Sequence, residues 1–161
     1  MLVNDVPMND LIAALGDEND EVRRNAQVAL YELGLLALEP LAQALIEGDP
    51  VVRRRAAALL GNVGDARAVA PLVTALEVLQ ECDCDDHTLV QIVDALGHFS
   101  DPRGVRALMM TLPNVSAHVQ RRIINALVSI GDRRAITPIK ALVGDPDVGQ
   151  TAQWALHQLG D

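Results

Sequence analysis

Aromatic side chains are almost missing from this 161-residue chain: Tyr31, Phe99 and Trp154 are the three it has. A core without aromatics has to close through tight packing of small and aliphatic residues, and half of the sequence is apolar, with alanine and leucine dominant. Cysteine is scarce too. Cys82 and Cys84 stand two residues apart, which makes no disulfide framework and points to a reducing, cytoplasmic setting. No run of eighteen apolar residues occurs, so no membrane span is expected. The opening MLVNDVPMND has no basic-then-apolar leader pattern, so the sequon at residues 114–116 is not expected to be glycosylated. Basic residues are outnumbered, 13 against 22 acidic, for a net charge of −9. That argues against a general nucleic-acid binder, whose affinity rests on cationic contacts to phosphate. The clusters Arg23/Arg24, Arg53/Arg54/Arg55 and Arg121/Arg122 keep such contacts open only locally. No glycine-rich phosphate loop is present, and Ser100, Ser116 and Ser129 sit in no nucleophile motif.

What is present is repetition. A fifteen-residue phrase occurs five times: DEVRRNAQVALYELG, PVVRRRAAALLGNVG, DHTLVQIVDALGHFS, AHVQRRIINALVSIG and PDVGQTAQWALHQLG. The copies end at residues 34, 64, 100, 131 and 160, spacings of 30, 36, 31 and 29. A period in this range marks a solenoid. Apolar residues fill phrase positions 3, 7, 10, 11 and 14, one face of a helix with 3.6 residues per turn. The small residues at positions 7 and 10 let helices approach closely. Position 15 is Gly34, Gly64, Ser100, Gly131 and Gly160, as a left-handed helix cap requires. Before each phrase runs a weaker pattern, DLIAAL, PLAQAL, PLVTAL, ALMMTL and PIKAL. Proline in the first turn of a helix is tolerated because its missing N–H would be unpaired there anyway. Each repeat therefore reads as helix A, short turn, helix B, glycine stop.

The stretches GDPVVRRRAAALLGNVGD and ARAVAPLVTAL carry a specific resemblance. They resemble HEAT-like repeats of the short, roughly thirty-residue kind first described in phycobilisome lyase subunits. The resemblance runs from about Val6 to Asp161. It implies one all-α domain, residues 1–161, folded as a right-handed α-solenoid of about five helical hairpins and about ten helices. The repeats fall near 6–34, 35–65, 66–100, 101–131 and 132–161. It also implies a ladder in which a turn carboxylate faces the Arg after the Val: Asp17 with Arg23, Glu47 with Arg53. Leu89, Gln120 and Gly149 replace that Arg in the later repeats. HEAT-like hydroxylases hold iron through His-Glu pairs, and His87, His98, His118 and His157 are followed by Thr, Phe, Val and Gln. That activity is not expected, and His98 is placed at a helix end.

The resemblance further implies that helix B lines a concave face. Phrase positions 5, 8, 9 and 12 lie opposite the buried stripe. They predict a smooth trough of Ala57, Ala58, Gly61, Val93, Gly97, Ile124 and Val128, with Asp94 at its centre. Arg24, Arg54 and Arg121 would line one side, with Tyr31 at one end and Trp154 and His157 at the other. An apolar trough with a polar rim and aromatic anchors suits protein recognition. The competing reading is that alanine and glycine there serve helix propensity and tight curvature.

One place breaks the period. About six extra residues fall within 80–87, QECDCDDH, between helices A and B of repeat three. Cys82, Cys84 and His87 could supply metal ligands, though C-x-C lacks standard zinc spacing. Otherwise Asp85 or Asp86 caps the following helix. The main functional expectation is a noncatalytic scaffold or adaptor that grips a protein segment on the concave face, with no catalytic residue and no cofactor. The alternative is a phycobilin lyase or chaperone-like protein handling a tetrapyrrole or its apoprotein, with Asp94 and His157 as its acid–base candidates. A further alternative is a regulatory module of a longer protein. No polar capping repeat is evident after the last helix, so pairing into a homodimer through the C-terminal repeat is also expected as an option.

Overall fold

The computed structural model describes residues 6–80 and 85–160. Ten α-helices appear there in five A/B pairs: α1 (Met8–Ala14) with α2 (Asp20–Leu33), α3 (Leu38–Glu47) with α4 (Pro50–Val63), α5 (Val69–Leu79) with α6 (Asp86–Phe99), α7 (Pro102–Thr111) with α8 (Ala117–Ile130), and α9 (Ile136–Lys140) with α10 (Gly149–Leu159). The B helices α2, α4, α6, α8 and α10 stack in one layer, and α1, α3, α5 and α7 stack in the other. The protein is an all-helical α-solenoid. Its core runs unbroken between the layers and consists of Leu, Ile, Val and Ala, as the shortage of aromatics requires.

Sequence punctuation sets the elements. The first four B helices occupy phrase positions 1 to 14, and the fifth starts at position 4. Position 15 takes positive φ in all five repeats: Gly34 at 53°, Gly64 at 69°, Ser100 at 48°, Gly131 at 73° and Gly160 at 79°. At the other end, Asn19, Asp49, Asp85 and Ser116 accept hydrogen bonds from N–H groups of the first turn. Asp85 is thus the cap expected of the insertion. Asp86 has a different task, accepting a 2.5 Å hydrogen bond from Ser116 Oγ that ties the starts of α6 and α8. Pro40, Pro71 and Pro138 lie at the third position of α3, α5 and α9, where no intrahelical N–H bond is lost.

One further motif recurs at the repeat junctions. Asp65-x-Arg67, Asp101-x-Arg103 and Asp132-x-Arg134 each follow a helix-B cap directly. In each, the aspartate accepts from the arginine's backbone N–H at 2.8–2.9 Å and from its guanidinium through both oxygens. The guanidinium pulls all three carboxyl pKa values below the ordinary range, Asp65 to about 2. The first junction has Leu35-Leu36 instead, exposed by 46% and 73%. Helical residues continue through that junction from Asp20 to Glu47, with a window of mean hydropathy 1.4 that is long and apolar enough to cross a bilayer. Gly34 divides the stretch between two repeats, and Leu30, Ala37 and Leu41 within it are buried in the core.

The expected Asp17–Arg23 and Glu47–Arg53 ladder takes another form. Arg23 donates to the backbone oxygens of Asp17 and Glu18, at 2.7 and 2.8 Å, and forms an ion pair with Asp20. The Asp17 carboxylate accepts from Asn19 N–H, and the Glu47 carboxylate accepts from Gln43. Arg53 Nε is buried without a hydrogen-bond partner. In these turns the guanidinium of Arg23 satisfies backbone carbonyls, and the acids satisfy local donors.

Candidate functional site

The helix-B face divides into a closed centre and open ends. Ala57, Val93 and Ile124, expected on the trough surface, have no exposed area and belong to the core. Each adds one more core position to its helix, which widens the buried stripe. Val128 is half-buried against the same core. Gly61 and Gly97 do not floor a trough either. A Cβ at Gly61 would lie 2.8 Å from Ala95 Cβ, and one at Gly97 would lie 3.1 Å from Ala126 Cβ. Position 12 of one helix thus meets position 10 of the next, and the missing side chains set how closely α4, α6 and α8 approach. The small residues serve close packing, the competing explanation of the sequence pattern.

Polar groups gather beyond this seam. Asp94, Gly97, His98, Arg122, Asn125, Ala126 and Ser129 line a shallow concavity of about 270 Å3 between α6 and α8. Arg122 donates to both oxygens of Asp94, with Nε 3.1 Å from Oδ1. Asp94 therefore enters this site as half of an inter-repeat ion pair. His98 does end a helix, yet it also joins the site. Sequence reasoning missed it together with Arg122, Asn125 and Ser129. Position 13 carries the overlooked signal: Glu32, Asn62, His98, Ser129 and Gln158 are all polar.

Toward the N-terminus the face opens between α2 and α4. Asp20, Arg23, Arg24, Gln27 and Arg55 line a concavity of about 340 Å3. Gln27, Val28, Tyr31, Glu32, Ala58, Leu59 and Asn62 line another of about 390 Å3. Arg55 donates to Leu15 O at the end of α1. Burial, and the facing charges of Arg23 and Arg54, lower the pKa of its guanidinium, against the opposing pull of Asp49. Tyr31 and Val28 are each 56% exposed. Arg54 is half-buried. At the other end Trp154 and His157 are exposed on α10, and Arg121 donates to Asp147 O at 3.0 Å, a strap between repeats four and five. The expected rim is therefore not one surface: the structure groups Arg24 with Tyr31 and Ala58 along α2 and α4, Asp94 with Gly97 at the centre, and Trp154 with His157 on α10.

Of the metal candidates, Cys82 and Cys84 lie outside the described residues, and His87 is exposed in the first turn of α6.

Known proteins match this architecture. A family model described as HEAT repeats matches residues 8–78 and 74–160. The chain is 30% identical over 162 residues to the uncharacterized phycocyanin operon protein Z of Pseudanabaena tenuis, covering 94% of this chain and 79% of that protein. It is 42% identical over 73 residues to the phycocyanobilin lyase subunit alpha of a Picosynechococcus strain, covering 40% of this chain and 27% of that one. Among solved structures, the complex of CpcE and CpcF of phycocyanin lyase from Nostoc superposes with a TM-score of 0.64 at 23% identity, over 97% of this chain and 66% of that chain. The chain belongs to the HEAT-repeat proteins, within the short-repeat kind that includes phycobilisome lyase subunits.

Proposed function

We propose that this chain handles a phycobilin or its apoprotein, as a lyase-type or chaperone-like HEAT protein, through the helix-B face. The observation that carries this reading is the identity to the phycocyanin operon protein along nearly the whole chain, joined by the stronger local identity to a phycocyanobilin lyase subunit. The α6–α8 concavity supports it chemically. An open-chain tetrapyrrole presents pyrrole N–H donors, carbonyl acceptors and carboxylates on an apolar body. Asp94 would accept from the N–H groups, Arg122 would meet a carboxylate, and Asn125 and Ser129 could meet the carbonyls. His98 adds an imidazole beside them. The concavity is smaller than the roughly 300–1,000 Å3 of sites that enclose a ligand alone. A pigment held there would be covered in part by a second protein, which suits transfer or chaperoning better than independent catalysis. The scaffold reading shares this face and supplies that second protein.

Mixing the purified chain with phycocyanobilin, with and without phycocyanin apoprotein, tests the proposal by visible absorption. A shifted, sharpened band that weakens in Asp94→Ala and Arg122→Ala chains is the expected result. A spectrum identical to free bilin in buffer under both conditions would overturn the proposal.

A further inference from the structure

The basic and apolar concavities between α2 and α4 adjoin at Gln27, which lines both, and together they make the α2–α4 groove. We infer that this groove docks an extended protein segment carrying a carboxylate about three residues from an aromatic or large aliphatic side chain. The inference rests on the helix-B face being a recognition surface, and it does not require a pigment.

Three features of the groove define the occupant. Its basic end is lined by Arg23, Arg24 and Arg55 against one carboxylate, Asp20, which Arg23 already engages. The lining therefore carries excess positive charge within a chain of net charge −9. Arg24 uses its Nε on Asp20 O, at 3.3 Å, and among the described residues its terminal nitrogens have no protein partner. A carboxylate is the group that fits a free guanidinium fork.

The apolar end is open for a steric reason. Where the central seams have Gly against Ala, this junction has Tyr31 in the glycine column and Leu59 in the alanine column. Those side chains keep α2 from closing onto α4 as α4 closes onto α6. Leu59 is buried, while Val28 and Tyr31 stay exposed on α2. An exposed aromatic on the same helix as an arginine with free terminal nitrogens is the composition of an interface anchor.

Geometry fixes the spacing. Arg24 and Tyr31 are seven residues apart on α2, or about 10 Å at 1.5 Å per residue. An extended chain covers that distance in about three residues at 3.3 Å each.

Selection of a random twelve-residue peptide display library on the full chain tests this, followed by fluorescence-polarisation titration of the enriched peptides. Enriched sequences should hold Asp or Glu three residues from Phe, Tyr, Trp or Leu. Their affinity should fall at least tenfold for Arg24→Glu and for Tyr31→Ala, and should weaken as salt rises, since exposed charges are screened. Both substituted residues are exposed, and unchanged circular dichroism would show that the variants remain folded. Basic enriched sequences, enrichment without the spacing, no enrichment, or binding to either variant as tight as to the parent chain would each overturn the inference. No bilin enters the measurement, so this failure and failure of the pigment reading are separately visible.

Discussion

Between α4 and α8 the helix-B layer is closed by glycine against alanine. At α2 the same columns hold tyrosine against leucine and the layer stands open. Position 8 shows the same division: it is buried Ala57, Val93 and Ile124 in the centre, but half-buried Gln27 and exposed Gln153 at the ends. One column of a repeat therefore changes role along the array. Where a helix has two neighbours, small and apolar residues close the layer. Where it has one neighbour or a loose junction, polar and aromatic residues stay exposed. The repeat junctions divide likewise: three carry the Asp-x-Arg clamp, and the first carries exposed Leu35 and Leu36.

This comparison can be broken by substitution. Ile124→Ala removes a side chain with no exposed area and should cost about 2–4 kcal/mol in urea denaturation. Gln153→Ala, in the same column of α10, should change stability by less than about 0.5 kcal/mol. Equal costs would return position 8 to the surface. Gly61→Val forces a Cβ and two methyl groups against Ala95 and should cost about 1–3 kcal/mol. Gly97→Val should cost less, because its Cβ starts from a longer distance.

The clamps give a pH signature. A carboxyl group whose pKa falls on folding stabilises above its unfolded value of about 3.9 and loses that contribution as pH drops through the folded value. For Asp65 the folded value is about 2, so its contribution fades between about pH 4 and pH 2. The chain carrying Asp65→Asn, Asp101→Asn and Asp132→Asn should show a shallower loss of melting temperature over that window than the parent. An unchanged acid limb would mean that the clamps carry no linked protons. Tyr31→Ala should stay within the same bound as Gln153→Ala, about 0.5 kcal/mol in stability by urea denaturation, because an exposed aromatic at an open junction packs little.

The solenoid was legible because core columns repeat in sequence: the B-helix bounds, the positive-φ stops and the Asp85 cap all follow from local chemistry. The face was only partly legible. A helical wheel places Ala57, Gly61, Val93 and Ile124 opposite the core stripe of one isolated helix, but it holds no information on neighbouring helices in the same layer. Those neighbours turn the expected trough into a seam. His98 and Arg122 were passed over for a related reason. Each is unremarkable alone, and they meet only because position 13 of α6 lies beside position 6 of α8. The Asp17 and Glu47 ladder failed because both acids had closer donors, Asn19 N–H and Gln43.

Native-state amide hydrogen exchange tests the division most directly. The account predicts that buried amides of α4, α6 and α8 exchange only through global unfolding, whereas those of α2 open at markedly lower free energy. Uniform protection across α2, α4, α6 and α8 would contradict a closed centre with an open end.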